Sequence, residues 1–342
     1  MKNKRHFSAC LLLGLLPWGH ELVHAADAAD AADALPHRPV TTLLIEAGEL
    51  SAMLRDNSES PRTLSGIDAL FHRQAAGFDA FDPESQGASA GLNFEHIICG
   101  HSNRFNAFTP RQGRYELFRT GSAAAKLVRH AEADPWQMES TFTYALHAPH
   151  AIDFEFACRT TNAALFGERG YAVLFFANYM NDVEDVAIHF RGVKGPGETE
   201  QWIRAEAPPG NADYNHGGTY RSLAAADLAF DAGHNFKLNL WSYDYPRFTQ
   251  PFYYGRAAHG MVLILMFDRM HSVQDEIRFS LFKFKVPRRP RPAWDFQYVI
   301  HKVESGVAYG FKGRLIWKKF VSPEDCREEY SRWKADSRAA GR

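Results

Sequence analysis

Met261-Val262-Leu263-Ile264-Leu265-Met266-Phe267 is apolar without a break. A strand of that kind has to be covered on both faces, so it predicts a position at the centre of a packed sheet. Outward from it, period-two alternation of aromatic and β-branched residues recurs, each run ending in Gly, Pro, Asn or Asp, which is the pattern of successive antiparallel strands. Upstream these runs are Leu92 to Ile98, Ser140 to Ala148, Ile152 to Arg159, Tyr171 to Asn178, Asp185 to Arg191 and Phe236 to Trp241. Thr42 to Arg55 reads as a hairpin turned at Ala47-Gly48-Glu49, and Glu276 to Val286, Ala293 to His301 and Tyr309 to Phe320 follow the central run. The clearest helix comes last, with Ser322 as N-cap, Pro323 at the first helical position, Glu324 and Asp325 in the first turn, and Tyr330 and Trp333 to dock it. The expected fold is mostly β: a large antiparallel β-sandwich, supersandwich-like, over residues 39–321, with a short C-terminal helix in 322–342 that closes an open end. No repeat or linker divides the chain.

The N-terminus reads as an export signal. Lys2, Lys4, Arg5 and His6 precede the Leu-rich run at Leu11 to Leu16, and Val23-His24-Ala25 offers a cleavage site before Ala26. Residues 1–25 are therefore expected to be removed, and the Ala/Asp repeat of 26–38 to be a disordered spacer. The greasy run is too short for about 30 Å of hydrocarbon, which argues against membrane insertion. Without Lys2, Lys4, Arg5 and Glu21 the chain keeps 36 basic and 39 acidic side chains, so no global field attracts nucleic acid. Cys99 and Cys158 sit in apolar segments and could form one disulfide after export, leaving Cys326 free. No pair has zinc-ribbon spacing, and no cofactor is expected.

Two motif matches fail on context. His20-Glu21-Leu22-Val23-His24 matches a zinc-protease pattern, yet it ends at the cleavage site. Gly87-Ala88-Ser89-Ala90-Gly91 matches a serine-hydrolase elbow, which needs a strand before the serine and a helix after it; a loop and a strand flank it instead.

Four groups of residues carry possible chemistry. On Asp185 to Arg191, alternation places Val186, Ile188 and Phe190 on one face and Asp185, His189 and Arg191 on the other. Those three are either a solvated outer face with an ion pair or a site in which His189 moves a proton and Arg191 holds a hydroxyl or carboxylate. Asn93, Glu95, His96, His101 and Arg104 cluster at another strand end, with His96 expected on the apolar face beside Leu92 and Phe94. Trp241, Tyr243 and Tyr245 alternate before Arg247, Phe252, Tyr253, Tyr254, Arg256 and His259. Flat aromatics beside Arg, Asn and His complement a sugar ring, although the same residues also suit an aromatic core layer. His216 stands in a glycine-rich loop, and Asp268, Arg269 and His271 end the central strand. Arg288, Arg289 and Arg291 lie among prolines and read as a solvated connector or as a patch for an acidic polysaccharide.

The opening hairpin, the long antiparallel strands, the inward aromatic and histidine positions and the export signal together resemble the galactose-mutarotase-like β-supersandwich, over about residues 40 to 320. That resemblance implies a concave groove across one sheet, and it spans sugar epimerases, glycoside-modifying domains and polysaccharide lyases. Mutarotases of the group use a histidine acid and a glutamate base. His101-Ser102-Asn103-Arg104-Phe105-Asn106 is similar to their asparagine-histidine segment, but in a different order and without an aligned glutamate. A lyase needs a group to neutralise a uronate and another to take the neighbouring proton, and Asn178, His189, His216, Tyr254 and Arg256 supply those types. The expectation is a secreted or periplasmic carbohydrate-active protein, possessing either His189, His216 and Tyr254 as acid-base groups of a lyase or glycoside-modifying enzyme, or the same surface as a non-catalytic glycan binder. Arg104, Asn178, Arg191, Trp241, Tyr243, Arg256 and His259 are its expected sugar contacts.

Overall fold

The computed structural model describes residues 38–58, 64–83, 90–100, 105, 107–207, 216–234, 244–270, 275–284 and 291–340. The leader and spacer, Ser89 and the strand expected at 236–241 lie outside the described residues.

The chain begins with β1 (Thr42–Ala47), β2 (Leu50–Arg55) and β3 (Gly66–His72), which form a three-stranded sheet. It continues through β4 (Asn93–Cys99), the single-turn helix α1 (Thr109–Gln112), β5 (Glu116–Gly121), β6 (Ala124–Arg129), β7 (Met138–His147), β8 (Ala151–Thr160) and β9 (Ala172–Ala177). Then come β10 (Val183–Val193), β11 (Gln201–Ala205), β12 (His216–Tyr220), β13 (Arg247–Phe248), β14 (Phe252–Ala257) and β15 (Met261–Met270). The last elements are β16 (Glu276–Phe284), β17 (Arg291–Ile300), β18 (Ala308–Lys319) and the helix α2 (Pro323–Ala340). The large sheet runs β11-β10-β14-β15-β18-β8-β7-β6-β5 with β13 beside β10, and a five-stranded sheet runs β12-β16-β17-β9-β4. All neighbours in these sheets are antiparallel, and no sheet of the described residues closes into a barrel.

Between the two larger sheets lies an aromatic layer. Phe176 stacks on Phe296 at 4.9 Å, and Phe156 of the large sheet meets Phe176 of the smaller at the same separation. The central run occupies the expected place: β15 pairs with β14 and β18, and Leu263, Leu265 and Phe267 enter this core. Val262, Ile264 and Met266 point the other way, under Cys326, Tyr330 and Trp333 of α2. The helix starts as its sequence predicts, with the Asp325 N–H donating to Ser322 Oγ at 3.1 Å. Its site corrects the expectation. It lies over the outer face of the large sheet rather than closing an end, because that face carries Phe252, Tyr254, Val262, Ile264, Met266 and Ile316 and would otherwise be open.

The proposed disulfide is also corrected. Cys99 on β4 and Cys158 on β8 are buried thiols of the main core, on different sheets and not joined to each other. Burial holds the Cys158 thiol above its ordinary range.

Candidate functional site

The five-stranded sheet has an outer face with more polar groups than a sheet surface under cover normally carries. Ser280 pairs with Asp295; Arg278, Gln297, Phe175 and His96 fall in the next row; Glu276, Val299, Val173 and Ile98 form the third. Ser280 and Gln297 are fully buried, and Asp295, Arg278, Glu276, Glu95 and His96 nearly so. Burying polar groups is costly unless they are paired, and several of these have specific partners.

A β-bulge in β4 builds one corner. Phe94 pairs with Phe176 and His96 with Phe175, so Glu95 is the extra residue. Simple alternation would put His96 on the core face with Leu92 and Phe94. The bulge instead returns Ile97 and Cys99 to the core and turns His96 outward, between Phe108 (4.1 Å) and Phe175 (5.2 Å). Glu95 reaches Arg111 of α1: Arg111 Nη1 donates to Oε1 at 2.9 Å, and the Tyr179 hydroxyl donates to the same oxygen. His96 Nδ1 stands 3.6 Å from Glu95 Oε2. Burial holds the His96 imidazole below its ordinary pKa against the pull of Glu95, so the ring is neutral at pH 7.

Asp295 supplies the complementary group. Burial raises its carboxyl well above the ordinary range, the Asn178 N–H at 2.8 Å offsets part of that, and the charge of Glu95 pushes it further up. Its surroundings thus favour the protonated form, in a cluster with the arginine-paired Glu95. The Tyr179 phenol is raised too, first by burial and then by Glu95. Around this group stand Phe108, exposed, and Tyr179, Phe282 and Phe284, half-buried, with Tyr179 and Phe284 5.7 Å apart. Carboxyl groups whose surroundings differ in this way can take a proton on one side of a bond and deliver one on the other.

The residues named from the sequence fall in several places. His189 and Tyr254 do come together on the outer face of the large sheet, their rings stacked at 4.8 Å and 8°. His189 Nε2 is 3.1 Å from Asp185 Oδ2, and Arg204 grips that carboxylate with two nitrogens at 2.8 and 2.6 Å. Burial raises the Asp185 carboxyl, but the bonds from His189 and Arg204 outweigh it and hold the group below the usual range. Arg191 lies 5.4 Å over Trp202 and binds Glu200, while Trp202 donates to Glu324 of α2. Tyr254 is buried beneath this wall, and its phenol is raised by that burial.

Arg256 pairs with Glu184 and covers Phe320, and the exposed His259 packs its ring on Phe78. Asn178 is a stitch inside the fold, accepting from the Leu92 N–H and donating to the Trp294 carbonyl. His216 opens β12 opposite Lys283. Asp268 pairs with Lys334 of α2, and Arg291 with the buried Asp82. Arg104, His101, Trp241, Tyr243, His271, Arg288 and Arg289 lie outside the described residues. Sequence reasoning named Glu95 and His96 but not Arg111, Tyr179 or Asp295. Tyr179 and Asp295 stood in or beside expected strands, with nothing local to say that the bulge would gather them.

One trio has metal-ligand types: Glu49, His72 and His150, whose ligand atoms lie within 4.8 Å of one another. It does not suit a metal. His72 Nδ1 accepts the Gln74 N–H at 3.1 Å, which places the neutral ring's proton on Nε2, the atom that would face the ion. The trio is instead a polar contact between the first hairpin, β3 and the β7–β8 turn, with Glu49 Oε2 3.0 Å from His72 Nε2.

No protein-family model and no curated protein matches the sequence. The fold is similar to that of a protein assigned as an aldose 1-epimerase from Escherichia coli K12, with a TM-score of 0.42 and 8% identity over 82% of this chain and 99% of that one. It is similar to a GalM/aldose epimerase homologue from C. elegans, with a TM-score of 0.40 and 10% identity over 82% of this chain and 100% of that one. It also resembles a heparan sulfate lyase from Pedobacter heparinus, with a TM-score of 0.40 and 8% identity over 80% of this chain; the chain spans 34% of that lyase. Likenesses of this degree concern the path of the strands and carry no argument for an activity.

Proposed function

We propose that this protein is an exported carbohydrate-active enzyme that works by acid-base catalysis on the outer face of the five-stranded sheet. The observation that carries the reading is the carboxyl pair: Glu95 held by Arg111 and Tyr179, and Asp295, pushed up by burial and by the charge of Glu95, in the same buried cluster. Glu95 takes a proton from the substrate or from a water, and Asp295 gives one to the departing glycosidic oxygen, which serves elimination or hydrolysis alike. Tyr179 and Arg111 hold Glu95 in place. Phe108, Tyr179 and Phe284 offer flat faces to sugar C–H groups, and His96 a neutral hydrogen-bonding partner.

A second placement of the chemistry has its own observation in the stack of His189 on Tyr254 beside Asp185. There His189 is the proton carrier and Arg191 the substrate clamp. Export rests on the leader, and N-terminal sequencing of the mature protein should begin at Ala26.

The deciding experiment incubates the mature chain with neutral and uronic acid polysaccharides, following unsaturated-product absorbance and new reducing ends together. Absorbance with reducing ends identifies a lyase, and reducing ends alone a hydrolase. Retained binding to a glycan with neither signal overturns the catalytic reading in favour of a glycan-binding protein.

A further inference from the structure

A second polar site lies at one end of the sandwich, where β15 ends and β16 begins. A cavity of about 510 Å³ opens there, within the size of small-molecule pockets. Its apolar wall includes Phe248, Phe267 and Ile277, and its polar wall Thr249, Asp275, Glu276 and His301. Glu276 is 6% exposed and carries the feature that points to a ligand. Its Oε1 accepts from Arg278 Nε at 2.8 Å, from Arg278 Nη2, and from His301 Nε2 at 3.3 Å. Its Oε2 is buried too and, among the described residues, accepts from nothing. An oxygen of that kind is costly to leave without a donor.

The surroundings narrow what the missing donor is. Arg278 already balances the charge of Glu276, Arg221 adds a second guanidinium nearby, and Lys334 balances Asp268. A cation would meet those positive groups, and an anion would meet Asp268, Asp275 and Glu276. His301 donates through Nε2, which leaves Nδ1 an acceptor, and Asp275 accepts the Tyr298 hydroxyl at 2.5 Å. The wall is thus rich in acceptors, and Glu276 and Asp268 carry their own cations, which suits a neutral molecule carrying several hydroxyl groups.

We propose that this cavity binds a small neutral polyol of monosaccharide size, with Glu276 Oε2 accepting one of its hydroxyls. The site is separate from the Glu95 cluster and stands whether or not that cluster is catalytic.

The test titrates D-galactose, D-glucose and myo-inositol into the full mature chain, by calorimetry and by saturation-transfer NMR. Saturable binding of at least one is expected, weakened about tenfold or more by Glu276→Gln. Ala225 lies on the surface turn at the cavity wall. Ala225→Phe should abolish binding with an unchanged circular dichroism spectrum, and it carries the test if the Glu276 variant does not fold. Glu95→Gln should keep the binding, which separates failure of this site from failure of the first. No binding of any of the three, binding unaffected by Ala225→Phe, or calcium bound in place of a polyol would each overturn the proposal.

Discussion

Glu95 receives two donors, Arg111 and Tyr179, on one carboxylate oxygen, while among the described residues Asp295 nearby has a single backbone N–H from Asn178 and no cation. That asymmetry divides the roles, and it has a stability consequence. A carboxyl group raised in the folded state contributes stability that is present below its unfolded value of 3.8 and lost as pH rises through the folded value. Asp295→Asn keeps an acceptor for the Asn178 N–H and removes the ionisation. The variant should be more stable to urea than the parent at pH 8 and show no such gain at pH 3, while losing turnover; a less stable variant at pH 8 would mean that Asp295 is ionised and paired. This corner was only half legible in the sequence. Residue types marked Glu95 and His96, but Phe94-Glu95-His96 holds no Gly or Pro to announce a bulge, so period-two counting misplaced His96. His189, Arg191 and Asp185 were read onto one face correctly, because β10 keeps its alternation there.

Elements were legible where one face is wet or where a run is apolar throughout. The first hairpin turned at the expected Gly48, and the central strand lies under two layers as its composition requires. β14 was not read as a strand, for the same physical reason that makes it central: Tyr253 faces the core and Tyr254 faces α2, so aromatics stand on both sides and no alternation shows. Gly255 on β14 makes a testable demand. A Cβ there would sit 2.5 Å from ring carbons of the fully buried Trp294. Gly255→Ala should lower stability by about 1–3 kcal/mol through overpacking, measured by urea unfolding. An unchanged midpoint would mean that β14 and β17 pack less closely than described.

At the scale of the whole molecule, ion pairs tie α2 to the large sheet. Glu329 of α2 binds His150 of the β7–β8 turn, Lys318 of β18 and Arg332. Burial raises the Glu329 carboxyl, but those bonds more than offset it and hold it below its ordinary 4.5. Such stability is present above 4.5 and lost as pH falls below it. His72, held below its ordinary 6.5 by burial, acts earlier: its unfolded form takes up protons as pH drops through 6.5 while the folded form resists. These two groups therefore lower the thermal midpoint below about 6.5 and again below about 4.5, against the opposite contribution of Asp295, and Glu329→Gln should flatten the second fall relative to the parent. A Glu329→Gln midpoint that falls below pH 4.5 as steeply as the parent's would contradict the assignment. The antiparallel sandwich and its terminal helix were readable from alternation and capping, whereas the helix's docking face and the buried polar sheet depend on contacts between distant strands. The most direct test of the central claim compares turnover of Glu95→Gln and His189→Ala on the glycan that the panel identifies. The account predicts a loss of about 10²–10⁴-fold for Glu95→Gln with the fold and binding retained, and a rate within a few-fold of the parent for His189→Ala. Full activity in Glu95→Gln with activity lost in His189→Ala would contradict it and move the chemistry to the large sheet.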